Sequence, residues 1–211
     1  MRPSNTSERR SEISRALLRV MASEGYERAT IVRIAKEAGL APGLVHYHFE
    51  SKAEILATLV SDLVVRFETR IARRTEQRSG ALAKLDGLLE ALLARGDDED
   101  LEAVRCWTLV GAEAVKDAEV RALYEAHLGA LTDRLAALVI EACHDEGRSG
   151  EGARAMAGAI VALTEGYFAL AAASPALVAA GSASGMAKRM ARGLIAAQPR
   201  NLLRARVGEG R

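Results

Sequence analysis

Aromatic residues, prolines and surplus charge are all scarce in this chain of 211 residues. Phe, Trp and Tyr make up only 4% of it, so Ala, Leu and Val must supply most of the 49% that is hydrophobic. Because Ala and Leu are strong helix formers and poor strand formers, this composition predicts an all-α protein. The formal net charge of only +1 argues against a basic coat for nucleic acid over the whole chain and against a polybasic membrane anchor.

Cysteine is equally scarce. Cys106 and Cys143 lack the C-x-x-C spacing of metal and redox motifs, and two thiols are too few for a disulfide framework. A reducing compartment is therefore the simpler interpretation. A chain of this length buries a hydrophobic core without a disulfide or a structural metal, and we expect no cofactor.

Sequence features of membrane proteins are missing as well. The N-terminal segment has no apolar core of a secretory signal. The most apolar stretch, residues 155–173, is interrupted by Glu165 and is rich in small Ala side chains. We interpret it as a buried helix rather than a membrane span, and we expect a cytoplasmic protein without a membrane partner.

No catalytic motif is visible. The sequence contains no HExxH, P-loop or GxSxG pattern. Cys143 and His144 are adjacent on a predicted helix, so their side chains diverge by about 100° and cannot form a nucleophile and base pair. The acidic residues 96–100 lack the Gly and Glu positions of a calcium loop, so we predict a solvated loop and no metal site. The chain is not expected to be an enzyme.

Apolar residues recur with a period of 3.6 and predict about nine helices, separated by Gly and Pro. A capping box at residues 51–54 introduces the fourth of them. The predicted helices are 7–23, 31–38, 42–48, 55–75, 81–94, 101–116, 118–146, 153–173 and 186–197.

Residues 30–49 have the proportions of a helix-turn-helix, two short helices joined by a turn at residues 38–41. Val45 and Phe49, four residues apart, turn one edge of the second helix toward a core. Gly43, Leu44, His46 and Tyr47 then lie on or near its exposed side. In a DNA major groove, glycine permits close backbone approach, tyrosine and histidine offer hydrogen bonds, and leucine contacts a thymine methyl group.

In these residues the chain resembles the TetR family of bacterial transcriptional regulators. That family has a first helix ended by glycine, a second helix capped by threonine, a Pro-Gly turn, an aromatic-His-Phe run and a Ser-Lys pair. The resemblance covers about the first 60 residues. The matching segments are 10–26, 30–35, 41–43, 47–49 and 51–52.

The resemblance implies roles for individual residues. It implies phosphate contacts from Thr30, Tyr47, His48 and Lys52. It implies base-edge or close-backbone contacts from Pro42, Gly43, Leu44 and His46. The chain departs from the family at Ala41, often a serine, and at His46, often a tyrosine. A packed core histidine is the alternative for His48.

In the TetR family the remaining helices form a domain for ligand sensing and dimerisation. The region of Trp107 and the segments 116–121 and 162–168 are similar to the BetI-type C-terminal domain. The resemblance thus implies a DNA-binding domain at 7–52, a ligand-binding and dimerisation domain at 53–198, and a disordered tail at 199–211.

The candidates for lining a ligand pocket are the aromatic and polar side chains of the later helices. A Trp with nearby carboxylates is suited to a quaternary ammonium ion. The alternative for each is an ordinary core aromatic or a solvated glutamate. The candidates are Trp107, Glu113, Tyr124, His127, Glu165, Tyr167 and Phe168.

Helices eight and nine are the expected homodimer face, with ordinary intrachain core as the alternative. Small side chains on helix eight permit close helix approach, and an apolar stripe on helix nine matches them. Two-fold pairing predicts a near-palindromic operator in double-stranded DNA. The helix-eight residues are Ala155, Gly158, Ala159 and Ala162, and the helix-nine residues are Ala187, Ala191 and Leu194.

The sequence therefore predicts a one-component transcriptional regulator, a repressor that a small-molecule effector releases from DNA. The alternative is a helical interaction module that has lost specific DNA binding. Residues 1–52 contain nine basic and six acidic side chains, a modest excess for a DNA-binding head. We therefore expect help from dimerisation, from helix-end N–H groups and from Arg2, Arg9 and Arg10.

Overall fold

The computed structural model describes residues 5–93, 101–178 and 181–201. Within these ranges the secondary structure is helical, apart from turns and one isolated β-bridge. The predicted all-α fold is confirmed. The helices are α1 Asn5–Glu24, α2 Ile31–Glu37, α3 Pro42–His48, α4 Lys52–Thr75, α5 Ala81–Leu93, α6 Leu101–Ala114, α7 Ala118–Asp145, α8 Ala153–Ala173 and α9 Ser182–Ala196, with a short 3-10 helix at Pro175–Leu177.

Two predicted segments fall largely outside these ranges. The acidic residues 96–100 are not among the described residues. The same holds for the predicted tail from residue 202 onward. Residues 199–201 are described, and there Ser149 N donates to Pro199 O at 2.8 Å and Asn201 N donates to Gly147 O at 2.8 Å.

The turn between α2 and α3 depends on Gly39. Its φ of 67° lies in the left-handed region that glycine tolerates best. Leu40 N donates to Ala35 O at 2.8 Å, which closes the end of α2 and redirects the chain into α3. The sequence thereby fixes the angle between the two helices locally.

Helix α9 begins earlier than the sequence predicted. Its first residue is Ser182 rather than 186. Gly181, with φ of 75°, is the N-cap residue, and the helix starts directly after it. Ala183 and Ser184 are buried in the first turn, and this packing outweighs the low helix propensity of the Ser and Gly residues there.

The chain packs as two compact units. The first comprises Met1–Arg66 with Leu101–His127, and the second comprises Phe67–Asp100 with Leu128–Arg211. In the first unit α6 packs against α1, so part of the later chain belongs with the N-terminal helices. This division describes packing, and the functional boundary at residues 52 and 53 remains a prediction.

In the second unit, α9 packs against α5 and α8. Two ion pairs join α9 to α5: Lys188 Nζ lies 2.8 Å from Glu90 Oε1, and Arg192 Nη2 lies 2.5 Å from Asp86 Oδ2. Burial raises the pKa of Glu90, but hydrogen bonds from Lys188 and Arg78 outweigh it and hold that pKa below its usual value. Glu90 therefore remains ionised between two cations.

Helix α8 is long and apolar enough to span a membrane by length and composition alone. It supplies core residues of the second unit, among them Ile160, Thr164 and Phe168. Only a third of its most apolar window is buried, so much of its apolar surface is uncovered within the single chain.

Candidate nucleic-acid interface

Helix α3 presents one face to the core and one to solvent. Val45 is fully buried, and Phe49, directly after the helix, is buried as well. Pro42 lies in the first turn of the helix, where the backbone N–H that proline lacks would have no partner inside the helix. Ala41, at the N-cap, makes no side-chain bond. The residues expected to meet base edges are all exposed: Pro42, Gly43, Leu44 and His46.

Tyr47 is 80% exposed, the largest value among the exposed large apolar side chains of the described residues. Its ring lies edge-on to His48 at 5.1 Å between centroids. His48 is only half-buried, but its Nδ1 is buried without a hydrogen-bond partner among the described atoms. Tyr47 is thus exposed, whereas His48 lies partly in the core, and the roles of both in DNA binding stay predictions.

Thr30 caps α2, as the sequence predicted. Its hydroxyl oxygen accepts a hydrogen bond of 3.3 Å from Arg33 N, and the side chain remains exposed. One flank of α2 is tied to α1 by two ion pairs, Arg33 with Glu24 and Arg19 with Glu37. The Thr30 hydroxyl therefore lies at a fixed helix N-terminus, where backbone N–H groups favour a phosphate.

The other flank of α2 presents Val32 and Lys36, four residues apart on one helix face. Val32 is 63% exposed. Lys36 is exposed and has no ion pair with any described residue. The site residues predicted from sequence, Thr30 at the start of α2 and the exposed face of α3, do not include this flank, although its i, i+4 spacing is visible in the sequence.

Lys52 is held inside the head (α1 to α3 and the start of α4). Its Nζ donates a 2.9 Å hydrogen bond to Tyr26 O and lies 4.0 Å from the centre of the Tyr26 ring. Burial, reinforced by Asp117, Glu119 and Glu113, raises the pKa of Tyr26 to about 12. Lys52, a predicted phosphate ligand, thus joins the start of α4 to the chain just after α1.

Arginines near the N-terminus differ sharply in their surroundings. Arg9 pairs at 2.6 Å with Glu12 on its own helix. Arg10 turns inward, contacting His48, Glu54 and Thr58. Arg10, which the sequence analysis expected to add to DNA affinity, thus has partners inside the head, and its contribution to DNA affinity stays a prediction. Arg2 lies outside the described residues.

The side chains of three basic residues of the head form no ion pair or hydrogen bond with any other described residue. Arg28 precedes the N-cap of α2, and Lys36 lies in its last turn, so both flank the helix-turn-helix. The third lies on α1. They are Arg15, Arg28 and Lys36. Their charges are not neutralised by any described carboxylate, so they add to the small positive excess of the head.

Three of the predicted pocket residues form one cluster in the first unit. The Trp107 ring stacks on Tyr124 at 4.8 Å between centroids and 27° between planes. His127 meets Trp107 edge-on, also at 4.8 Å. A Cβ on Gly111 would lie 3.0 Å from the Tyr124 hydroxyl, so glycine permits this close packing. Trp107 is almost fully buried, so the three rings form part of the core of the first unit.

The other predicted pocket residues lie elsewhere. Glu113 lies on α6 with its Oε2 4.0 Å from Lys116 Nζ, and it is among the carboxylates near Tyr26. Glu165 and Phe168 belong to the second unit, where Phe168 stacks on Phe67 at 6.0 Å. Tyr167 is half-buried there. Within the described ranges, no three His, Cys, Asp or Glu side chains are grouped to hold a metal ion.

Comparison with known protein families resolves the identity of the fold. Residues 13–59 match the model of bacterial regulatory proteins of the tetR family, and residues 81–196 match the model of the BetI-type transcriptional repressor C-terminal domain. The second match alone covers more than half of the chain. The chain belongs to the TetR family. TetR-family members are transcriptional regulators with a helix-turn-helix domain and are not enzymes, which confirms both expectations.

Individual relatives agree with this TetR-family assignment. The HTH-type transcriptional regulator BetI of Rhizobium meliloti (strain 1021) is 28% identical over 150 residues, 70% of this chain and 73% of the relative. A transcriptional regulator from Rhodococcus sp. Rha1 has a TM-score of 0.72 at 22% identity, covering 88% of this chain and 95% of its own. A transcriptional regulator from Saccharomonospora viridis, in complex with choline, has a TM-score of 0.69 at 23% identity, covering 90% and 97%. The two solved structures show a shared fold.

Proposed function

We propose that this TetR-family chain is a cytoplasmic one-component repressor that binds a near-palindromic operator as a homodimer and is released by a small-molecule effector. The observation that supports it most directly is the outer face of α3. There Tyr47 and Leu44 are solvent-exposed apolar side chains beside Gly43 and His46. Exposed apolar side chains beside a glycine and a hydrogen-bonding imidazole, on the second helix of a helix-turn-helix, fit a major groove.

The dimer face lies on α8 and α9. Ala159 and Ala162 of α8 are exposed, and Met186, Met190 and Leu194 of α9 form an exposed stripe at i, i+4, i+8. Such a surface, apolar on two helices of one unit, requires cover, and a second copy supplies a matching one.

This stripe corrects the one predicted for α9. Ala187 and Ala191 are buried inside the chain, because their small side chains let α9 approach its neighbours closely. Only Leu194 of the predicted set faces outward. The outward-facing positions expected for Ala187 and Ala191 are instead taken by Met186 and Met190 on the neighbouring face of α9.

Two-fold pairing determines the kind of operator. The two α3 helices of a dimer contact successive major grooves about 34–36 Å apart or slightly more. Each then meets the same half-site in opposite orientation. The operator is therefore an inverted repeat.

We place the effector at the Trp107 cluster and propose a quaternary ammonium compound. Trp107, Tyr124 and His127 supply aromatic faces, which attract such cations. The choline complex of the Saccharomonospora viridis regulator and the BetI-type domain match support this chemical class.

Within the first unit, charged residues next to this cluster lie near the head. The cluster residues lie on α6 and α7, and Glu113 and Asp117 near the α6–α7 turn lie close enough to Tyr26 to affect its pKa. Tyr26 in turn accepts the hydrogen bond from Lys52 at the start of α4. Effector binding that shifts α6 or α7 changes this contact, so it favours one orientation of the head over another.

DNA selection tests the operator proposal. The full chain is incubated with a random-sequence duplex library, and bound duplexes are sequenced. We expect an inverted repeat whose affinity falls steeply as KCl rises. Enrichment of no sequence over the starting library would refute operator recognition and favour the interaction-module alternative.

A variant localises that binding. Tyr47→Ala should weaken binding to the selected duplex about ten-fold or more, because an exposed contact to DNA is lost. Its thermal midpoint should not change. Val115→Ala, another exposed side chain of the first unit, is the matched control and should bind as the parent chain does.

Choline and tetramethylammonium test the effector proposal separately. Either compound should raise the thermal midpoint and change the emission of Trp107, the single tryptophan of the chain. It should also release the selected duplex. Glycerol, an uncharged polyol, should do none of these, and an equal response to glycerol would count against a cation site.

A further inference from the structure

The guanidinium of Arg10 is the contact point of three helices in the head. From α1, its Nη1 donates to the His48 carbonyl oxygen at the end of α3. Its Nη2 donates to Glu54 Oε1 at 2.8 Å and to Thr58 Oγ1 at 3.2 Å, both on α4. Its Cζ also lies 4.0 Å from the centre of the Phe49 ring. One side chain thus binds both ends of the α3–α4 connection.

The groups it contacts are those that define how α3 ends. The last carbonyls of a helix have no partner inside the helix, and Arg10 satisfies that of His48. Glu54 uses its other oxygen, Oε2, to accept a 2.8 Å hydrogen bond from Glu50 N. These two bonds through one carboxylate join α1 to the chain between α3 and α4. Because these bonds connect the end of α3 to α1 and α4, Arg10 constrains the orientation of α3 relative to those helices.

The pKa of Glu54 agrees with this arrangement. The main-chain N–H of Glu50 and the guanidinium of Arg10 both hold that pKa below its usual value. Glu54 therefore accepts these bonds in its ionised form at neutral pH.

We propose that Arg10 is a positioning residue for DNA recognition: it sets the orientation of α3 and thereby operator discrimination, and it does not bind phosphate itself. The proposal rests on the operator binding proposed above. The guanidinium of Arg10 already donates to three acceptors and lies on a ring face, unlike that of Arg15 or Arg28. Three of the five N–H donors of Arg10 and one face of its guanidinium are thus engaged inside the head.

The chemistry requires arginine rather than positive charge. A planar guanidinium reaches two acceptors with separate nitrogens while it stacks on an aromatic ring. A lysine at the same position carries the charge on one nitrogen and reproduces neither the fork nor the stack. Arg10→Lys therefore separates orientation from charge.

The test measures binding of Arg10→Lys to the selected duplex and to a scrambled duplex of equal length, over a range of KCl concentrations. We expect affinity for the selected duplex to fall about ten-fold. Affinity for the scrambled duplex should stay within about two-fold, and the slope of log affinity against log [KCl] should stay within about half a unit.

A phosphate ligand gives a different result. If Arg10→Lys keeps the affinity for the selected duplex, the proposal is overturned. It is also overturned if Arg10→Ala lowers the affinity for both duplexes by the same factor and reduces the slope of log affinity against log [KCl] by about one, because that is the behaviour of a phosphate ligand. Arg9 on the same helix is the comparison for a surface cation, because it pairs only with Glu12 in the described structure. Arg9→Lys should keep the affinity for both duplexes, and Arg9→Ala should lower both affinities by the same factor.

Glu54→Gln provides an independent route, since it removes the carboxylate that Arg10 contacts without touching the charge of α1. We expect it to lose discrimination as Arg10→Lys does, and the double variant to lose no more than either single one. Additive losses would overturn a shared role. Circular dichroism and the thermal midpoint report folding, and if one variant fails to fold the other decides the question.

These results separate the two proposals. A parent chain that binds selected and scrambled duplexes equally refutes operator recognition, and the positioning role falls with it. A parent chain that discriminates, with an Arg10→Lys variant that discriminates equally well, refutes the positioning role alone.

Discussion

The ammonium of Lys52 donates a 2.9 Å hydrogen bond to the main-chain carbonyl of Tyr26. It also lies 4.0 Å from the centre of the Tyr26 ring. The pair joins the start of α4 to the chain just after α1. One of the three ammonium donors is thus used inside the head, which leaves two for a phosphate. The role implied by the family resemblance and the role in stability are compatible.

Replacing Lys52 tests its structural part. Lys52→Met should lower the free energy of unfolding by about 1–2 kcal/mol, because it removes a charge-assisted hydrogen bond and a cation–π contact. Urea unfolding measures the difference. Lys36→Met, at an exposed lysine without an ion pair to described residues, is the control and should change stability by less than about 0.5 kcal/mol. Equal losses from both variants would contradict the structural role.

Tyr26 predicts a dependence of stability on alkaline pH. Folding raises the pKa of its phenol from 10.0 to about 12, so the folded chain binds this proton more tightly than the unfolded chain. The stabilisation, on the order of 2 kcal/mol, is fully present below pH 10 and is lost as pH rises toward 12. Urea unfolding of the parent chain and of Tyr26→Phe across this range measures it. The difference between their pH slopes should be confined to that window, and parallel slopes would sink the prediction.

Gly111 predicts a spectroscopic change at Trp107. An added methyl group would lie 3.0 Å from the Tyr124 hydroxyl and 3.2 Å from its Cζ, so Gly111→Ala must shift the Tyr124 ring on Trp107. We expect the emission maximum or intensity of this single tryptophan to change while the chain stays folded. Gly129→Ala, which meets no atom within 4 Å, should leave the emission as it is. An identical spectrum for both variants would argue against the stacked geometry.

The stripe on α9 predicts the oligomeric state. Met190 is 47% exposed in the single chain, and Met190→Glu would place a charge in the proposed dimer face. Sedimentation equilibrium should show a dimer for the parent chain and a weaker dimer, by at least about 3 kcal/mol, for the variant, because the dimer would bury two unpaired carboxylates. Val115→Glu, exposed in the first unit, is the control. A dimer unaffected by Met190→Glu would place the interface elsewhere.

The N-terminal motif could be predicted closely from sequence because its signals are local. Gly39 requires a left-handed backbone, Thr30 caps the helix that follows it, and Val45 with Phe49 defines one apolar edge. Each involves residues no more than four apart. The helices, the helix-turn-helix and the family therefore followed from the chain without a structure.

Side-chain partners across helices could not be predicted in the same way. Arg9 and Arg10 are neighbours of the same type, yet one pairs within α1 and the other contacts residues 38 to 48 positions away. Nothing local distinguishes them. Only the crossing of α1 with α3 and α4 decides which arginine turns inward.

The outward stripe of α9 shows the same limit. The sequence supplies two apolar stripes, Ala187 with Ala191 and Met186 with Met190, and periodicity ranks neither as the inner one. Close packing of α9 against α5 and α8 selects the small side chains for the inside. By itself, then, the sequence determined the helices, the turns that orient them and the family, because these depend on backbone preferences and near neighbours. Only the tertiary structure decided which cations remain unpaired and which apolar face is left uncovered, because both depend on atoms that packing brings together from distant parts of the chain.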